Sequence, residues 1–515
     1  MNYTQPKLWV AILLTIGFLS ACTDQDEILQ EPIQEVQEQL MTRQEIDKAI
    51  INSLQTSDEF NWNQASDRML WSALLQGDSI LTIGYKPTDE SDISKRMANI
   101  DISQDQWKAT KNEVLTEIVD LINAKNGSNL RVGNLSYFAH DVLPFFEIKV
   151  TDIEVISKIR SREDVRYAEP LGYEVDFGRG NTNVRTTSDS GCDSNYAGTL
   201  PSSDYHVVTP NAKVSWNYAY MNIEQAWNYS TGDNIGVGLI DTGISPNQNN
   251  LNGAFSSGLS TNRFIQKYGT YVNSIWWWGE LDGPDDQCGH GTAMAGTIAA
   301  PRGSVGASVG VAYNANLVAY RGTGDVVINA SNEKTGVADA LVGIGNRSDV
   351  RIISMSIGDV FSNSKVADAI RYAYGKGKLI FAAAGTSTNF TNWYGVIFPA
   401  TMSETVAVTG IKEGSYNKCD VCHSGSKVDF TIVMERAGSN TKPLTLAMSG
   451  NAPSTVGGSS VATATAAGIA ALVWAKNPSW TRDQVLNKLK QTADLYPNKS
   501  SEYGWGTLNA LAAVQ

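Results

Sequence analysis

Three short motifs carry side chains that together suit nucleophilic catalysis. Asp241 follows the apolar run 235–240, His290 lies between two glycines, and Ser460 follows a Gly-Gly-Ser turn. A hydroxyl is a weak nucleophile unless an adjacent base takes its proton, and imidazole is the side chain best suited to this near neutral pH. A carboxylate beside the imidazole would orient it and stabilise its charged form. The three residue types are therefore those of acyl transfer, provided that the fold brings them together.

Each motif also has a simpler interpretation when it is taken alone. The Asp-Thr-Gly sequence at Asp241 occurs in turns and in aspartic proteases, although the latter need two copies and this chain has one. His290, one of four histidines, could cap a helix or bind a metal. Ser460 could cap the apolar helix that begins there. The motifs become informative only in combination.

The elements that must position these side chains are short apolar strands separated by helical stretches. The predicted strands cover residues 235–240, 317–320, 350–354, 379–383 and 406–408. Apolar runs of this length are typical of parallel strands buried on both faces, so we predict an α/β sheet covered by helices. Asp241 then lies at the carboxyl end of a strand, where open α/β sheets build their sites. Ser460 lies at a helix N-terminus, whose free N–H groups suit a developing oxyanion.

The chain order Asp241, His290, Ser460, with the sequence around each residue, resembles the subtilisin-like (S8) family of serine proteases. The resemblance covers roughly residues 214–515. It implies a three-layer α/β fold with a central, mostly parallel sheet flanked by helices. It further implies a serine endopeptidase in which Ser460 attacks the scissile carbonyl, His290 transfers the proton and Asp241 orients His290, through an acyl-enzyme. Other matching segments are Glu224-Gln225-Ala226-Trp227, Phe398-Pro399-Ala400 and Gly504-Trp505-Gly506-Thr507-Leu508-Asn509-Ala510.

The same resemblance assigns one segment to substrate binding. Ser356, Ile357 and Gly358 correspond to the strand that pairs with the substrate. We interpret Asp359, which follows them, as a solvated loop carboxylate rather than as a determinant of specificity. Three consecutive tryptophans at 276–278 lie in an insertion before His290, and we favour packing over substrate contact for them. A second insertion relative to the family, residues 413–454, contains Cys419 and Cys422.

The oxyanion hole departs from the family's pattern. Where the family has Ala-Ala-Gly-Asn, this chain has Ala-Ala-Gly-Thr, so that Thr386 replaces the amide donor. Loss of such a donor costs roughly 100- to 1,000-fold in turnover. The implied donors are the Thr386 hydroxyl and the Ser460 N–H, and Asn389 and Asn392 lie nearby in sequence.

The N-terminal half is predicted to contain a small α+β domain over residues 69–173. Phe146, Ile148 and Val150 alternate as in a strand, isoleucines recur at helical spacing over 153–159, and another apolar run follows at 165–168. This β-α-β pattern resembles the end of subtilisin-type propeptides, which act as intramolecular chaperones and inhibitors.

The predicted domains flank this propeptide on both sides. Residues 22–68 are predicted as a solvated tether or a surface helix. Residues 174–213 are rich in Gly, Ser, Thr, Asn and Asp, which predicts an exposed linker with the maturation site. The catalytic domain is predicted over residues 214–515.

The first residues predict export and lipid anchoring. Lys7 precedes an apolar run over 8–19 that is too short to span a membrane but suits a signal peptide, here residues 1–21. Leu19-Ser20-Ala21-Cys22 resembles a bacterial lipobox, in which Cys22 is acylated. The alternative is ordinary secretion after cleavage near Ala21. We expect attachment to a membrane of the bacterial cell envelope by lipid alone, with release of the catalytic domain after processing.

The remaining cysteines and the net charge limit the partners. Cys192, Cys288, Cys419 and Cys422 form an even set in an exported chain, which favours disulfides and leaves three connectivities open. His423 follows Cys422 and suggests zinc, but a second ligand pair at finger spacing is missing, so we assign no metal. Structural calcium, common in the family, stays unassigned, and no cofactor is required. A net charge of −13 argues against nucleic acid as a partner.

The sequence therefore leads to one function and one rival. The leading hypothesis is an endopeptidase that acts on proteins or peptides and is inhibited by its own propeptide. The rival is a catalytically weak or silent protein of the same fold that binds peptides in its cleft, and Thr386 is its only support.

Overall fold

The computed structural model describes residues 40–57, 59–176, 191–192, 195–272, 280–386 and 395–515. Several predicted features lie outside the described residues: the signal peptide with Cys22, the three tryptophans at 276–278, and Asn389 with Asn392. The residues from Leu40 to Gln515 form one compact unit.

The first part of this unit, residues 40–176, is an α+β domain that we call the N-terminal domain. Its four strands form an antiparallel sheet in the order β2-β3-β1-β4. The predicted β-α-β unit is confirmed as β3, α5 and β4, with β1 inserted between the two strands. The elements are α1 (Arg43–Ser57), α2 (Asp67–Gln76), β1 (Ile80–Tyr85), α3 (Ile93–Arg96), α4 (Asp105–Asn126), β2 (Tyr137–Ala139), β3 (Phe145–Lys149), α5 (Ile153–Arg160) and β4 (Val165–Pro170), with 3-10 turns at Trp62–Gln64, Met97–Asn99 and Val132–Asn134.

Helix α1 lies within residues 22–68, for which a solvated tether or surface helix is predicted, but one of its faces is buried. Ile46, Ile50 and Leu54 lie on one face of the helix at spacings of four and are each 0% exposed. They pack in the same hydrophobic core as the sheet of the N-terminal domain. The polar residues between them obscured this narrow apolar stripe in the sequence.

The second part of the unit, residues 195–515, is built on a seven-stranded sheet. Its elements in chain order are β5 (Tyr205–Val208), β6 (Ala212–Ser215), α6 (Ile223–Ala226), β7 (Gly236–Asp241), β8 (Ile265–Gly269), α7 (His290–Ala299), β9 (Asn316–Arg321), α8 (Ser331–Gly345), β10 (Val350–Met355), α9 (Ser364–Gly375), β11 (Leu379–Ala383), β12 (Thr405–Lys412), β13 (Phe430–Glu435), β14 (Leu444–Leu446), β15 (Pro453–Thr455), α10 (Gly458–Lys476), α11 (Arg482–Thr492) and α12 (Ala510–Val514), with 3-10 turns at Ser202–Asp204, Trp216–Met221 and Asn249–Leu251. The strand order of the large sheet is β13-β12-β11-β10-β7-β9-β8, and every pairing is parallel. All five predicted strands lie in this sheet.

Helices cover both faces of the sheet, as predicted. Alternate residues of one strand enter different cores: Ile352 of β10 packs with α7 and α10, whereas the next residue, Ile353, packs with α8 and α9. The sheet is therefore buried on both sides, which explains why its strands are continuous apolar runs. Among the described residues one helix, α10, is apolar enough to cross a membrane, but 89% of its apolar window is buried, so it is a core helix.

Residues 195–213 of the segment predicted as a linker pack on the sheet domain. β5 pairs antiparallel with β6, and Asp204 is buried beside Arg436. Cys192 forms a disulfide with Cys288, which anchors the segment covalently. Its polar composition suggested an exposed linker because short-range sequence shows neither the disulfide nor the hairpin's partner.

The N-terminal domain packs on α8 and α9 through buried charged groups. Lys365 of α9 contacts Glu147 of β3 at 2.5 Å, and both side chains are 0% exposed. Arg166 of β4 binds the buried Asp368 at 2.7 Å. Lys334 of α8 donates to the Leu171 carbonyl at 2.6 Å. The interface combines these polar contacts with an apolar core that the two parts share.

Candidate active site

Asp241 is the last residue of β7, at the carboxyl edge of the sheet. Its side chain is 0% exposed, and its Oδ1 accepts hydrogen bonds from the Thr242 N–H at 2.8 Å and from His290 Nδ1 at 2.7 Å. Oδ2 is buried and accepts no hydrogen bond within the described part of the chain. The carboxylate is therefore aimed at the imidazole, as the sequence predicted.

His290 begins helix α7, directly after Gly289, whose φ of +94° suits a glycine. Since the Asp241 carboxylate accepts from Nδ1, Nδ1 carries the hydrogen, and in the neutral ring Nε2 is left as the acceptor. Burial lowers the pKa of His290, but the charge and hydrogen bond of Asp241, together with the charges of Asp286 and Asp325, raise it, so that the net pKa lies above the ordinary 6.5. The ring thus has the tautomer that a general base at Nε2 requires.

A second carboxylate, Asp286, connects the Asp241 and His290 motifs. Its Oδ1 accepts from Thr242 Oγ1 and from the N–H groups of Cys288 and Gly289 at 2.8–2.9 Å. Its Oδ2 accepts from the N–H and the hydroxyl of Thr292 at 2.9 and 2.6 Å. Burial raises the pKa of Asp286, and these five hydrogen bonds oppose the rise by favouring the charged form.

Sequence reasoning missed Asp286. It lies four residues before His290, but the preceding residue is also an aspartate, and the sequence alone does not distinguish the two.

Two glycines let the Asp241 and His290 motifs approach each other. A Cβ on Gly291 would lie 2.3 Å from the Gly243 carbonyl oxygen. Gly243 has a φ of +106°, and a Cβ there would lie 2.5 Å from the Pro284 carbonyl oxygen. Backbone contact at this distance excludes any side chain, so both glycines are required by the closeness of the two turns.

Ser460 lies in the first turn of α10, where the chain turns through Gly458 at a φ of +85°. The side chain is 8% exposed, and its Oγ donates to the Ser356 carbonyl at 3.3 Å. Ser356 Oγ in turn donates to the Ser460 carbonyl at 2.8 Å. Between described residues no hydrogen bond joins Ser460 to His290, so the hydroxyl must rotate away from Ser356 before it can give its proton to the imidazole.

The substrate segment predicted at residues 356–358 follows strand β10. Gly358 donates its N–H to the Val326 carbonyl and accepts from the Ile328 N–H, both at 3.0 Å. Asp359 differs from the solvated carboxylate that the sequence suggested: it is 6% exposed, and its field raises the pKa of Lys334, which burial lowers overall. The backbone of Asp359 is held in place because its N–H donates to the Phe398 carbonyl.

Thr386 lies against the turn that precedes Ser460. Its hydroxyl is 2.9 Å from Ser459 Oγ, which also accepts the Gly385 N–H at 3.3 Å. A Cβ on Gly458 would lie 3.1 Å from Thr386 Oγ1, so the threonine touches the turn itself. The threonine thus lies beside the turn that leads to Ser460.

The four cysteines pair as Cys192–Cys288 and Cys419–Cys422. The first bond lies two residues before His290. In the second, the two sulfurs are bonded to each other and are not free thiolates. Across the described ranges, no group of three or more His, Cys, Asp or Glu side chains is arranged to hold a metal ion.

Comparison with known proteins extends these observations. The model of the subtilase family, peptidase family S8, matches residues 232–506. M-protease of Shouchella clausii (strain KSM-K16) is 31% identical over 314 residues, which cover 61% of this chain and 73% of that protein. Alkaline elastase YaB of Bacillus sp. (strain YaB) is 33% identical over 311 residues, which cover 60% of this chain and 72% of that protein. A solved protease structure from Pseudoalteromonas arctica is 24% identical, with a TM-score of 0.47, and the match covers 58% of this chain and 96% of that one.

The family match includes every element around the three motifs. It begins just before β7, which ends in Asp241, and extends past α10, which carries Ser460. The model covers more than half of the chain, and relatives more than 30% identical are matched over more than two thirds of their length. The chain therefore belongs to the subtilase family of serine proteases.

Proposed function

We propose that the protein is an endopeptidase that hydrolyses peptide bonds through an acyl-enzyme on Ser460, with His290 as general base and Asp241 as its orienting carboxylate. The observation that carries the proposal is the buried 2.7 Å contact between His290 Nδ1 and Asp241 Oδ1. It leaves Nε2 as the acceptor, and Ser460, the proposed nucleophile, lies in the first turn of helix α10. A buried imidazole–carboxylate pair has this orientation in triads of the serine-protease type.

In the proposed reaction, Ser460 Oγ attacks the scissile carbonyl carbon and its proton passes to His290 Nε2. The imidazolium is stabilised by Asp241 and then protonates the leaving amine as the C–N bond breaks. Water, deprotonated by the same Nε2, hydrolyses the ester and returns the proton to Ser460.

The developing oxyanion is proposed to be held by the Ser460 N–H and the Thr386 hydroxyl. A helix N-terminus supplies an N–H that has no partner within the helix. In the Thr386–Ser459 contact, Ser459 Oγ can be the donor. The hydrogen of the Thr386 hydroxyl is then available for the oxyanion. A hydroxyl in place of an amide would slow turnover relative to the family's pattern but retain a donor.

We further propose that the chain is made as a lipid-anchored precursor in the bacterial cell envelope, with the N-terminal domain as its propeptide. The contacts of that domain with α8 and α9 support an inhibitory or chaperone role. The Cys192–Cys288 disulfide makes release depend on where the chain is cut. A cut before Cys192 frees the catalytic part, whereas a cut between Cys192 and residue 213 leaves the two parts joined through sulfur.

The test is expression of residues 23–515 beside a Ser460→Ala version. Precursor bands are followed on reducing and non-reducing gels, the new N-terminus is sequenced, and cleavage of labelled casein is measured. We expect only the wild type to process itself between residues 174 and 213 and to digest casein.

Two outcomes would contradict the proposal. Equal casein cleavage by both versions would assign the activity to a contaminant. A wild type that remains folded and inactive, even after its N-terminal domain is removed by an added protease, would favour the rival peptide-binding protein.

A further inference from the structure

The Cys419–Cys422 loop and His423 have no part in the proposed reaction, yet they contact residues 385–386, which follow strand β11. Cys422 pairs with Thr386 in an antiparallel bridge. The three side chains are 0–2% exposed. A Cβ on Gly410 of the neighbouring strand β12 would lie 2.7 Å from the Cys422 sulfur, so the disulfide packs against the sheet. The loop is thus part of the wall of the site.

His423 holds both ends of the chain segment that contains Thr386. Its backbone N–H donates to the Gly385 carbonyl at 3.0 Å. Its Nδ1 contacts the Gly395 carbonyl at 2.8 Å, and because a carbonyl can only accept, Nδ1 is the donor. The His423 carbonyl in turn accepts from the Thr409 hydroxyl of β12. One residue therefore ties residues 385 and 395 to the sheet.

The imidazole also rests on the backbone of Gly385. A Cβ there would lie 2.4 Å from His423 Nδ1, and Gly385 has a φ of +126°. No side chain fits between the ring and the strand. Burial lowers the pKa of His423 to about 4, so the ring is neutral near neutral pH and retains the single Nδ1–H that the Gly395 carbonyl requires. Its Nε2 is buried and has no partner among the described residues.

The same short segment meets the nucleophile motif on its other side. The Gly385 carbonyl accepts from His423, while the Gly385 N–H donates to Ser459 Oγ at 3.3 Å. The Thr386 hydroxyl also contacts Ser459 Oγ, in the residue before Ser460. Residues 385–386 are therefore held between the loop and the helix N-terminus. An oxyanion donor acts only if it is held to within about 0.5 Å.

We propose that His423, supported by the Cys419–Cys422 disulfide, is a positioning residue for the oxyanion donor at Thr386. The inference rests on the proposed function, because it assumes that an oxyanion forms at Ser460. It also links two departures from the family's pattern: the hydroxyl donor and the cysteine-bearing insertion behind it.

The test compares His423→Asn with His423→Gln. The asparagine amide nitrogen is two bonds from Cβ, as Nδ1 is, whereas the glutamine nitrogen is three bonds away, as Nε2 is. We expect His423→Asn to retain most of the kcat on a chromogenic peptide. We expect His423→Gln to lower kcat about tenfold or more, with KM little changed, because the lost interaction is specific to the transition state.

Two further measurements separate positioning from general structural damage. A peptide aldehyde, which forms an oxyanion on the serine, should lose affinity for His423→Gln by the same factor as kcat/KM. His206→Gln is the matched control, since that imidazole is exposed and contacts Glu224 instead. A rise in the KM of His423→Gln as large as its fall in kcat would overturn the proposal. Equal effects of His423→Asn and His423→Gln on kcat would also overturn it.

A readout without activity distinguishes this idea from the proposed function. In the Ser460→Ala protein, amide hydrogen exchange over residues 379–386 should accelerate in His423→Gln and in the Cys419→Ser/Cys422→Ser double variant. It should be unchanged in His206→Gln. Unchanged exchange in both loop variants would refute the positioning role even if the wild type proved inactive.

Discussion

The Lys365–Glu147 pair allows a quantitative prediction about the N-terminal domain. Lys365 Nζ lies 2.5 Å from Glu147 Oε1 and 2.7 Å from Thr335 Oγ1, and both charged side chains are 0% exposed. The ammonium also lies 5.2 Å from the centre of the Phe145 ring. Water cannot reach it while the two domains are in contact. The carboxylate is therefore the one counter-charge that the described residues place in contact with this ammonium.

Glu147→Gln removes that charge and leaves the lysine buried. Removal of one member of a buried pair costs about 3–5 kcal/mol, because the other charge is left uncompensated. The glutamine oxygen can still accept from the ammonium, so we take the lower end, about 3 kcal/mol. This corresponds to a roughly 150-fold weaker association of the N-terminal domain with the sheet domain.

The assay uses the full chain with Ser460→Ala and a site for a sequence-specific protease placed within residues 177–190. After cleavage, the dissociation constant of the two parts is measured by sedimentation. Glu113→Gln is the matched control, since it makes the same chemical change at an exposed position of α4. If Glu147→Gln binds as tightly as Glu113→Gln, the buried pair does not stabilise the interface and the reasoning is wrong.

Three further predictions concern the site. Asp286→Asn turns an amide NH₂ toward groups that are themselves hydrogen-bond donors. In the Ser460→Ala background the unfolding free energy, measured by denaturant titration, should therefore fall by about 2–3 kcal/mol. An unchanged midpoint would contradict the role of Asp286. Thr386→Asn should raise kcat about tenfold or more and Thr386→Val should lower it, because the amide restores a longer donor and the valine removes the hydroxyl; equal rates would place the donor elsewhere. Since His290 must be neutral to act as a base and its pKa is raised above 6.5, kcat/KM should rise with pH through a midpoint above that value. A pH–rate profile whose acid limb has its midpoint below 6.5 would contradict this assignment.

The fold could be predicted largely because its strands are buried on both faces. Such strands are uninterrupted apolar runs, and all five predicted runs lie in the large sheet. The two strands that were not predicted are at its edges. β8 is half-exposed and contains polar residues, and β13 lies inside an insertion whose partner strand cannot be inferred locally. β8 therefore lacks the two-sided burial on which this argument depends, whereas β13 is buried along its whole length and was missed because Thr431 and Glu435 interrupt its apolar run.

The site was predictable where several motifs in one chain order support the same interpretation, and not where contacts join segments that carry no motif. Asp241 and His290 lie within hydrogen-bonding distance, as expected from their motifs. Asp286 was missed because its partners are backbone N–H groups and threonines, which have no sequence signature. The location of the Cys419–Cys422 loop could not be predicted either, because no local sequence pattern connects Cys422 with Thr386.

The chemistry of the domain interface suits the proposed release of the N-terminal domain. A face that is only apolar would bind tightly, but once uncovered it would expose an aggregation-prone patch. On α8 and α9 the covered face includes Lys334, Lys365 and Asp368, each of which contacts a polar group of the N-terminal domain. Separation returns these charged groups to water, and the hydration free energy that they lost in the complex is regained. Ion pairs of this kind thus support a contact that is specific while it lasts and that leaves a solvated surface when it ends.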